Sequence, residues 1–497
     1  MAEATSLTTA TTELTEGGKL LEDILTGGNM VRSADEVQKR HAKDLIGEFV
    51  REVVSKDIDK AKVNEDAVAS IQHRIAEIDK LIGDQLDEIL HDKKLQALES
   101  RWRGLHYLVM NSETGVSLKI RVLNIKQSEL AKDLESAAEF DRSSLFKKVY
   151  EEEYGTFDGA PYGLLIGDYA FSGSNPDVGL LTKLSNVAAA SHAPFIGAAS
   201  PDLFDMPTFT NIGVPGDLAK LFESSTLIPY KEFRETEDSR YVALALPRVL
   251  LRVPYGPKGI PVEGFEYEEK VGEGHDNFLW GNAAYALGQR ITNAFSLYKW
   301  CAAIRGVEGG GLVENLPFYT FKTSEGDIAV KCPTEVAITD RRENELSELG
   351  FITLCYKKNS AQAAFFGGST ANKPKTYNLA SANANARLSA QLPYILATSR
   401  FAHYIKVMMR DKIGSFATRE GVSNYLNNWI ADYVLLNDSA GQETKARLPL
   451  REARVDVTEV PGKPGAYRAV VFLKPHFQLN ELSVSMRLVA DLPPPAG

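Results

Sequence analysis

Residues 384–475 hold the clearest change of hydrophobic period in the chain. Phe401, Ile405 and Met408 recur at spacings of four and three, which makes one apolar face of a helix. Leu392-Pro393 stands near the start of that helix, where proline is tolerated. Ser399, His403, Lys406 and Arg410 fall at spacings of four, three and four and share another face, a polar and basic stripe opposite the buried one. Gly414 is the expected stop. Val422, Tyr425, Leu426, Trp429, Ile430, Tyr433 and Val434 then predict a second amphipathic helix. After it the period drops to two. Val455 and Val457 alternate with Arg454, Asp456 and Thr458, and Tyr467, Ala469, Val471 and Leu473 alternate with Arg468 and Lys474. Pro461-Gly462-Lys463-Pro464-Gly465 between them is a turn, so the two runs form a β-hairpin. Two strands alone are marginal in water, and Leu482, Val484, Met486 and Leu488 offer a third alternating run. The 454–460 run carries its charges on one face, as an edge strand does. Another chain can add a strand at such an edge.

The rest of the chain mixes both periods. Residues 1–16 are Thr-rich and polar, with little to bury, and read as disordered. In 17–28 a short apolar face of Leu20, Leu21, Ile24 and Leu25 lies between two Gly-Gly pairs. A helix this short is unstable by itself. It either docks on the protein's own body or becomes helical in a partner's groove. Residues 34–111 read as helices. Leu45, Ile46, Phe49, Val50, Val53 and Val54 make one face, and Ile71, Ile75, Ile78, Ile82, Leu86 and Ile89 make a nearly heptad seam. From 116 the pattern alternates through Val116, Leu118, Ile120 and Val122, which predicts a strand. Helices near 127–137, 143–153 and 177–190 interleave with apolar strands at 162–167 and 194–197. Further strands at 246–253 and 351–354 and a helix over 281–302 complete an α/β layer. Residues 357–383, rich in Asn, Ala, Gly and Ser, read as a boundary loop.

Composition narrows this picture without changing it. At 497 residues the chain exceeds one ordinary core and predicts two or three domains. A hydrophobic share of 44% and a charged share of 25% suit a globular protein. No apolar run reaches the roughly eighteen residues of a membrane span, and the first residues lack the basic and apolar parts of a secretory signal. Cys301, Cys332 and Cys355 are odd in number and far apart, which predicts a reducing compartment and no disulfide framework. The net charge of −10 argues against broad nucleic-acid binding. No P-loop and no His-x3-His or His-Glu-x2-His pattern occurs. Gly306-Val307-Glu308-Gly309-Gly310-Gly311 is glycine-rich but follows a predicted helix rather than a strand. A connecting loop is the first reading of it. A phosphate site in a soluble α/β enzyme is the alternative.

Six segments carry a family resemblance: WRGLHYLV at 102–109, LPRVLLRVPYG at 246–256, FLWGNAAYALGQRI at 278–291, TEVAITDRRENELSELGFITL at 334–354, YILATSRFAHYIKVMMRDKIG at 394–414 and GVSNYLNNWI at 421–430. Together they resemble the large subunit of the type VI secretion contractile sheath, the TssC or VipB family. That resemblance implies a mixed α/β, multi-domain, phage-tail-sheath-like fold with a helical N-terminal region and a C-terminal helix pair plus hairpin. It implies a structural protein without cofactor or catalytic residues, cytoplasmic in a Gram-negative bacterium and not inserted in a membrane. The implied partners are the small sheath subunit (TssB or VipA), other sheath protomers, the Hcp tube, the baseplate and the AAA+ unfoldase ClpV. Leu20, Leu21, Ile24 and Leu25 sit where such members carry the unfoldase-binding helix. By the same resemblance His403, Lys406 and Arg410 would face the tube, the other reading of that stripe being a solvated helix face. Val455, Val457, Tyr467, Val471 and Leu473 would lie in strands exchanged between subunits. The implied division is an arm at 1–32, a helical region at 33–114 that pairs with the small subunit, a mixed α/β domain at 115–375, and a C-terminal sheath core at 376–497.

Overall fold

The computed structural model describes Val37 and residues 40–48, 67–214, 216–272, 275–322, 328–413, 415, 418–462, 466–476 and 478. Leu20, Leu21, Ile24, Leu25, Gly414 and the 482–488 run lie outside the described residues. The chain divides into two compact units, Met1–Ile89 with Tyr255–Lys270, and Leu90–Pro254 with Val271–Gly497.

In the first unit, helix α1 (Ala67–Leu90) meets the 255–270 segment along one side. The Tyr267 hydroxyl donates to Asp87 Oδ1 at 2.8 Å, the Lys270 backbone N–H donates to the same oxygen at 3.2 Å, and Lys270 pairs with Asp84. A Cβ at Gly83 would stand 3.3 Å from the Tyr267 ring, so the small residue lets the ring lie on the helix. Most of the heptad seam faces the other way. Ile75, Ile82 and Ile89 are each more than two-fifths exposed, as is Leu81, while Ile78 and Leu86 are half-buried.

The second unit starts with helix α2 (Lys93–Met110), whose N-cap Asp92 accepts the Lys94 and Leu95 N–H groups. It then builds a six-stranded sheet. The strands are β1 (Leu165–Phe171), followed by helix α3 (Asn175–Ser191), β2 (Phe195–Ala199) and β3 (Val242–Leu246). After helix α4 (Ala283–Tyr298) come β4 (Leu312–Val313), helix α5 (Asp340–Glu348), β5 (Phe351–Tyr356) and β6 (Ala363–Phe365). The sheet order is β1-β2-β3-β5-β6-β4. The first four strands run parallel, and β6 and β4 are antiparallel additions. Every residue of β2 and β3 is buried, as expected where both faces of a parallel sheet are covered. Val242, Leu244 and Leu246 pack with Leu181, Leu184 and Val187 of α3. Ala243 and Ala245, on the opposite face, pack with Ala284, Leu287 and Ile291 of α4.

Four sequence expectations shift. Residues 116–122 form no strand, and Val116 is 95% exposed; among the described residues no strand pairs with them. The strand expected at 162–167 begins at Leu165 and runs to Phe171. The strand expected at 246–253 is β3, which stops at Leu246 before Pro247 and leaves a two-residue piece, Val249–Leu250, paired with Trp280–Gly281. The supposed boundary loop contains β6, whose Ala363, Ala364 and Phe365 are buried in the sheet.

The glycine-rich 306–311 stretch is a crossing point of backbone. The Gly306 N–H donates to Phe365 O and the Gly311 N–H to Gly306 O. A Cβ at Gly310 (φ +89°) would lie 2.4 Å from Ala303 O. Glycine is needed there for conformation and for close approach. With those two amides occupied inside the chain, the stretch serves as a connector into β4. Burial pushes the Cys301 and Cys355 thiols up to about 12, and Cys332 also upward. All three cysteines are free.

A buried ion cluster ties the β3 exit to residue 335. The Glu335 side chain is fully shielded and accepts two hydrogen bonds from Arg248, each 2.6 Å, with His275 Nε2 3.2 Å away and the Phe209 N–H at 3.2 Å. Burial alone would raise its carboxyl. The Arg248 and His275 hydrogen bonds and charges outweigh that and hold it at about 2. Removing one partner strands a buried charge, so Arg248→Met is expected to lower unfolding stability by about 3–5 kcal/mol. Denaturant titration beside Arg248→Lys checks this. A loss under about 1 kcal/mol would show the cluster to be well solvated.

Candidate assembly interface

Helix α6 (Leu392–Asp411) starts with Pro393 in its first turn and is buried over most of its length. Helix α7 (Arg419–Ala431) is capped by Thr418, whose hydroxyl accepts the Gly421 N–H at 3.1 Å. Phe401 and Ile405 of α6 meet Val422, Leu426 and Ile430 of α7, with Trp300 stacked on Phe401 at 4.2 Å between ring centroids. The apolar stripe of α7 is narrower than its period suggests. Tyr425 is 42% exposed, with Lys412 over its ring at 4.5 Å.

On this helix pair stands the expected hairpin, β7 (Leu450–Glu459) and β8 (Tyr467–Pro475). Val455 faces Val471, Val457 faces Ala469 and Ala453 faces Leu473, all on the side toward α7. Val455 and Val457 are buried, and Tyr467, Val471 and Leu473 are partly buried on the same core. Each buried valine contributes roughly 1.5–3 kcal/mol, enough to hold a ribbon that would be marginal alone. The other face is open: Val470 is 42% and Phe472 51% exposed, with the Arg454 guanidinium 4.7 Å from the Phe472 ring.

The two hairpin edges differ. Val460 N–H donates to Ala466 O, which places the inter-strand bonds on the even-numbered residues of β7. Odd-numbered residues therefore turn their backbone groups outward. On β7, Val455 has both taken: its N–H donates to Asn427 Oδ1 at 2.9 Å, and its carbonyl accepts from Asn427 Nδ2 at 2.7 Å. Leu450 is likewise tied to Tyr433 and Leu435. On β8, the outward groups of Tyr467, Ala469, Val471 and Leu473 have no partner among the described residues.

The polar stripe of α6 forms one face, as its spacing predicts, but that face is not solvated. His403 is 2% exposed, and its Nε2 lies 2.9 Å from the Ser191 carbonyl, which makes Nε2–H the donor. The Lys406 ammonium sits over the Tyr154 ring at 3.3 Å and the Tyr150 ring at 4.7 Å. Arg410 donates to the Thr156 and Tyr154 carbonyls at 2.6 and 2.9 Å. This corrects the expectation of an outward basic stripe. The Lys147–Tyr154 segment, a wide-turn helix with a Tyr every fourth residue, supplies aromatic faces and end carbonyls to the cations. No signal near residue 403 announces that partner. Asn427 was also missed. Its neighbours Asn424 and Asn428 are polar too, so nothing in the sequence singles it out.

Among the described residues, no group of His, Cys, Asp and Glu is placed to hold a metal, and no helix is long and apolar enough to cross a membrane.

The chain matches two consecutive families: the EvpB/VC_A0108 tail sheath N-terminal domain over residues 72–372, and the EvpB/VC_A0108 tail sheath gpW/gp25-like domain over residues 381–492. The second match covers the helix pair and hairpin. Together they define a sheath protein, a structural subunit of a contractile sheath. The chain belongs to the TssC/VipB family of type VI secretion sheath proteins. It is 45% identical to the type VI secretion system sheath protein TssC1 of Pseudomonas aeruginosa, over 97% of this chain and 98% of that one. Partial overlaps also occur with the anti-feeding prophage baseplate and with its helical sheath in the contracted state. The first has 11% identity, 63% of this chain, 67% of that chain and a TM-score of 0.33. The second has 12%, 62%, 66% and 0.30. At these scores neither bears on the fold.

The buried imidazole predicts an acid response. Burial, followed by the nearby Arg400, His192 and Lys406 charges, outweighs the bond to Ser191 and holds His403 down at about 4. It is neutral in the fold, whereas the unfolded chain takes up a proton near 6.5. Its contribution is complete above about pH 6.5 and falls as pH drops toward 4, by up to about 3 kcal/mol. His403→Gln, which keeps the donor to Ser191 O, is expected to flatten that part of a stability–pH curve. An unchanged slope would place the response elsewhere.

Proposed function

We propose that this chain is the large subunit of a two-component contractile sheath in the bacterial cytoplasm. With a small sheath subunit of the TssB or VipA type it polymerises into a helical tubule around an Hcp tube attached to a baseplate. Contraction then drives the tube and its effectors outward. The observation that carries this reading is the hairpin, seated on α6 and α7 with one edge unpaired among the described residues, in a chain of the sheath family. Main-chain bonds across that edge, around Tyr467, Val471 and Leu473, would hold neighbours together while their bodies rotate, and Val455 and Val457 would seat the strand pair on α7. The energy would reside in the extended assembly, so no catalytic residue, nucleotide or cofactor is assigned to this chain.

The proposed division keeps the arm at 1–32, the helical region at 33–114, the α/β domain at 115–375 and the sheath core at 376–497. The helical region suits a partner. Its α2 exposes Leu98, Trp102 and Val109 at helical spacing, with Trp102 66% exposed, and α1 exposes Ile75, Ile82 and Ile89. Leu20, Leu21, Ile24 and Leu25 are proposed to bind a ClpV-type unfoldase after contraction. Toward the tube, the proposal moves to the open side of α6, where Tyr404, Val407 and Asp411 lie, with His403, Lys406 and Arg410 fixing the helix from behind.

Co-expression with the small sheath subunit, followed by negative-stain electron microscopy, tests the reading. Long hollow tubules are expected. A chain that neither binds the small subunit nor polymerises would overturn it. Within that experiment Trp102→Ala is expected to weaken capture of the small subunit by about 2 kcal/mol, roughly thirtyfold, as for a buried aromatic anchor. Capture at wild-type strength would remove α2 from the interface.

A further inference from the structure

We infer that the seam between the two tail-sheath domains holds an acid-released latch. The His192 and His403 imidazoles close it while both are neutral, and a proton on either ring opens the second half of α6 away from α3 and the wide-turn helix. The device lies within the single chain and is independent of its assembly.

The latch draws on both matched domains. Tyr154, Ser191 and His192 belong to the 72–372 match, and His403 and Lys406 to the 381–492 match. His192 ends α3 in the left-handed region (φ +52°), with its Nδ1 3.2 Å from the Tyr241 hydroxyl. His403 reaches across from α6 to the neighbouring residue, its Nε2–H donating to Ser191 O at 2.9 Å. The two imidazole centroids lie 6.2 Å apart. The Tyr154 ring stands 6.0 Å from His192 and 5.2 Å from His403, and carries the Lys406 ammonium. Aromatic rings, one carbonyl and one cation thus fill the seam.

That setting has little room for another positive charge. From α6, Lys406 faces both imidazoles and Arg400 faces His403, while Arg410 acts on Tyr154. From the wide-turn helix come Tyr150 and Tyr154, the latter pushed up to about 12 by burial, so its hydroxyl stays neutral. From residues 238–241 comes Tyr241, also raised by burial, with the opposite charges of Asp238 and Arg240 beyond it. His403 has spent its Nε2–H on Ser191, and its Nδ1 is buried without a hydrogen-bond partner among the described residues. A second proton there is a charged donor with nothing to receive it. A proton on His192 places the same charge beside His403 and Lys406. Once the seam opens, both rings titrate near the ordinary 6.5. Acid therefore favours the open form. With His403 held at about 4 when closed, going from pH 7.5 to 5.0 shifts the opening equilibrium by roughly thirtyfold.

The opening is local because α6 is anchored in two different cores. Leu392 and Leu396 of its first half are set under the sheet with Ala243 and Ile352. Phe401 and Ile405 of its second half belong to the separate core made with α7 and the hairpin. The helix is rooted at one end and latched at the other, and the latched end carries a block with a core of its own.

Amide hydrogen exchange of the full chain at pH 7.5 and 5.0, corrected for the intrinsic effect of pH on exchange, tests the latch. At pH 5.0 exchange over 147–157 and 400–411 is expected to speed up at least about tenfold, while β2 and β3 change less than about twofold. A double variant, His192→Asn with His403→Gln, keeps an acceptor toward Tyr241 and a donor toward Ser191. Asparagine also tolerates the left-handed backbone at 192. This variant is expected to match the unaltered chain at pH 7.5 and to lose the acid response. Three results overturn the latch: no speeding in the unaltered chain, equal speeding in β2 and β3, or an undiminished response in the double variant. The first two need no substitution, so they decide the matter even where the variant does not fold.

Discussion

Two hydrogen bonds between the Asn427 amide and the Val455 peptide settle the character of the C-terminal block. They turn one edge of a two-stranded ribbon into a finished surface, and they tie the ribbon to α7 at its midpoint. Valine packing alone gives adhesion without direction, because apolar contact does not specify which backbone edge is left free. The amide supplies that direction. Behind it, the stack of Trp300 on Phe401 and the edge contacts of Trp429 and Tyr433 hold α7 in place. Those rings make the hairpin base a rigid mount.

The six-stranded sheet plays a different part. Its central strands are shielded on both faces by α3 and α4, and their edges are consumed by β1 and by the antiparallel β6 and β4. The Glu335–Arg248–His275 cluster and the cations of α6 serve within it and beside it as internal fasteners. An assembly subunit that must survive large forces needs such a body. The aromatic platform of Tyr150 and Tyr154 extends the same logic, because it locks the wide-turn segment to the helix under the hairpin.

How much of this was legible in the residues depends on the distance over which the cause acts. Helices α6 and α7, the hairpin and its turn could be read from periods of 3.6 and 2, because those patterns are local. The buried strands β2 and β3 are nearly in place in the sequence reading, but β3 lies four residues earlier than expected because Pro247 divides the Leu246–Val253 run. The 116–122 run forms no strand for a physical reason: alternation describes a face, but a strand needs a neighbour, and none of the described strands pairs with it. His403, Lys406 and Arg410 were grouped correctly and given the wrong surroundings, since the tyrosines and carbonyls that receive them come from about 250 residues earlier in the chain. Asn427 is indistinguishable in the sequence from Asn424 and Asn428 of the same helix, because the strand that it meets lies 28 residues further on. β6 was hidden by its brevity inside a polar stretch.

The three thiols have a practical consequence. With burial holding Cys301 and Cys355 up to about 12, almost none of their sulfur is thiolate at neutral pH, and burial raises Cys332 as well. Maleimides and iodoacetamides react through the thiolate, so the folded subunit is chemically quiet toward them. A cysteine introduced at an exposed site such as Phe472 would stand out against that silence. Fluorophores could then be attached to the hairpin without first stripping the native sulfurs, and the ribbon's surroundings followed in real time as subunits come together.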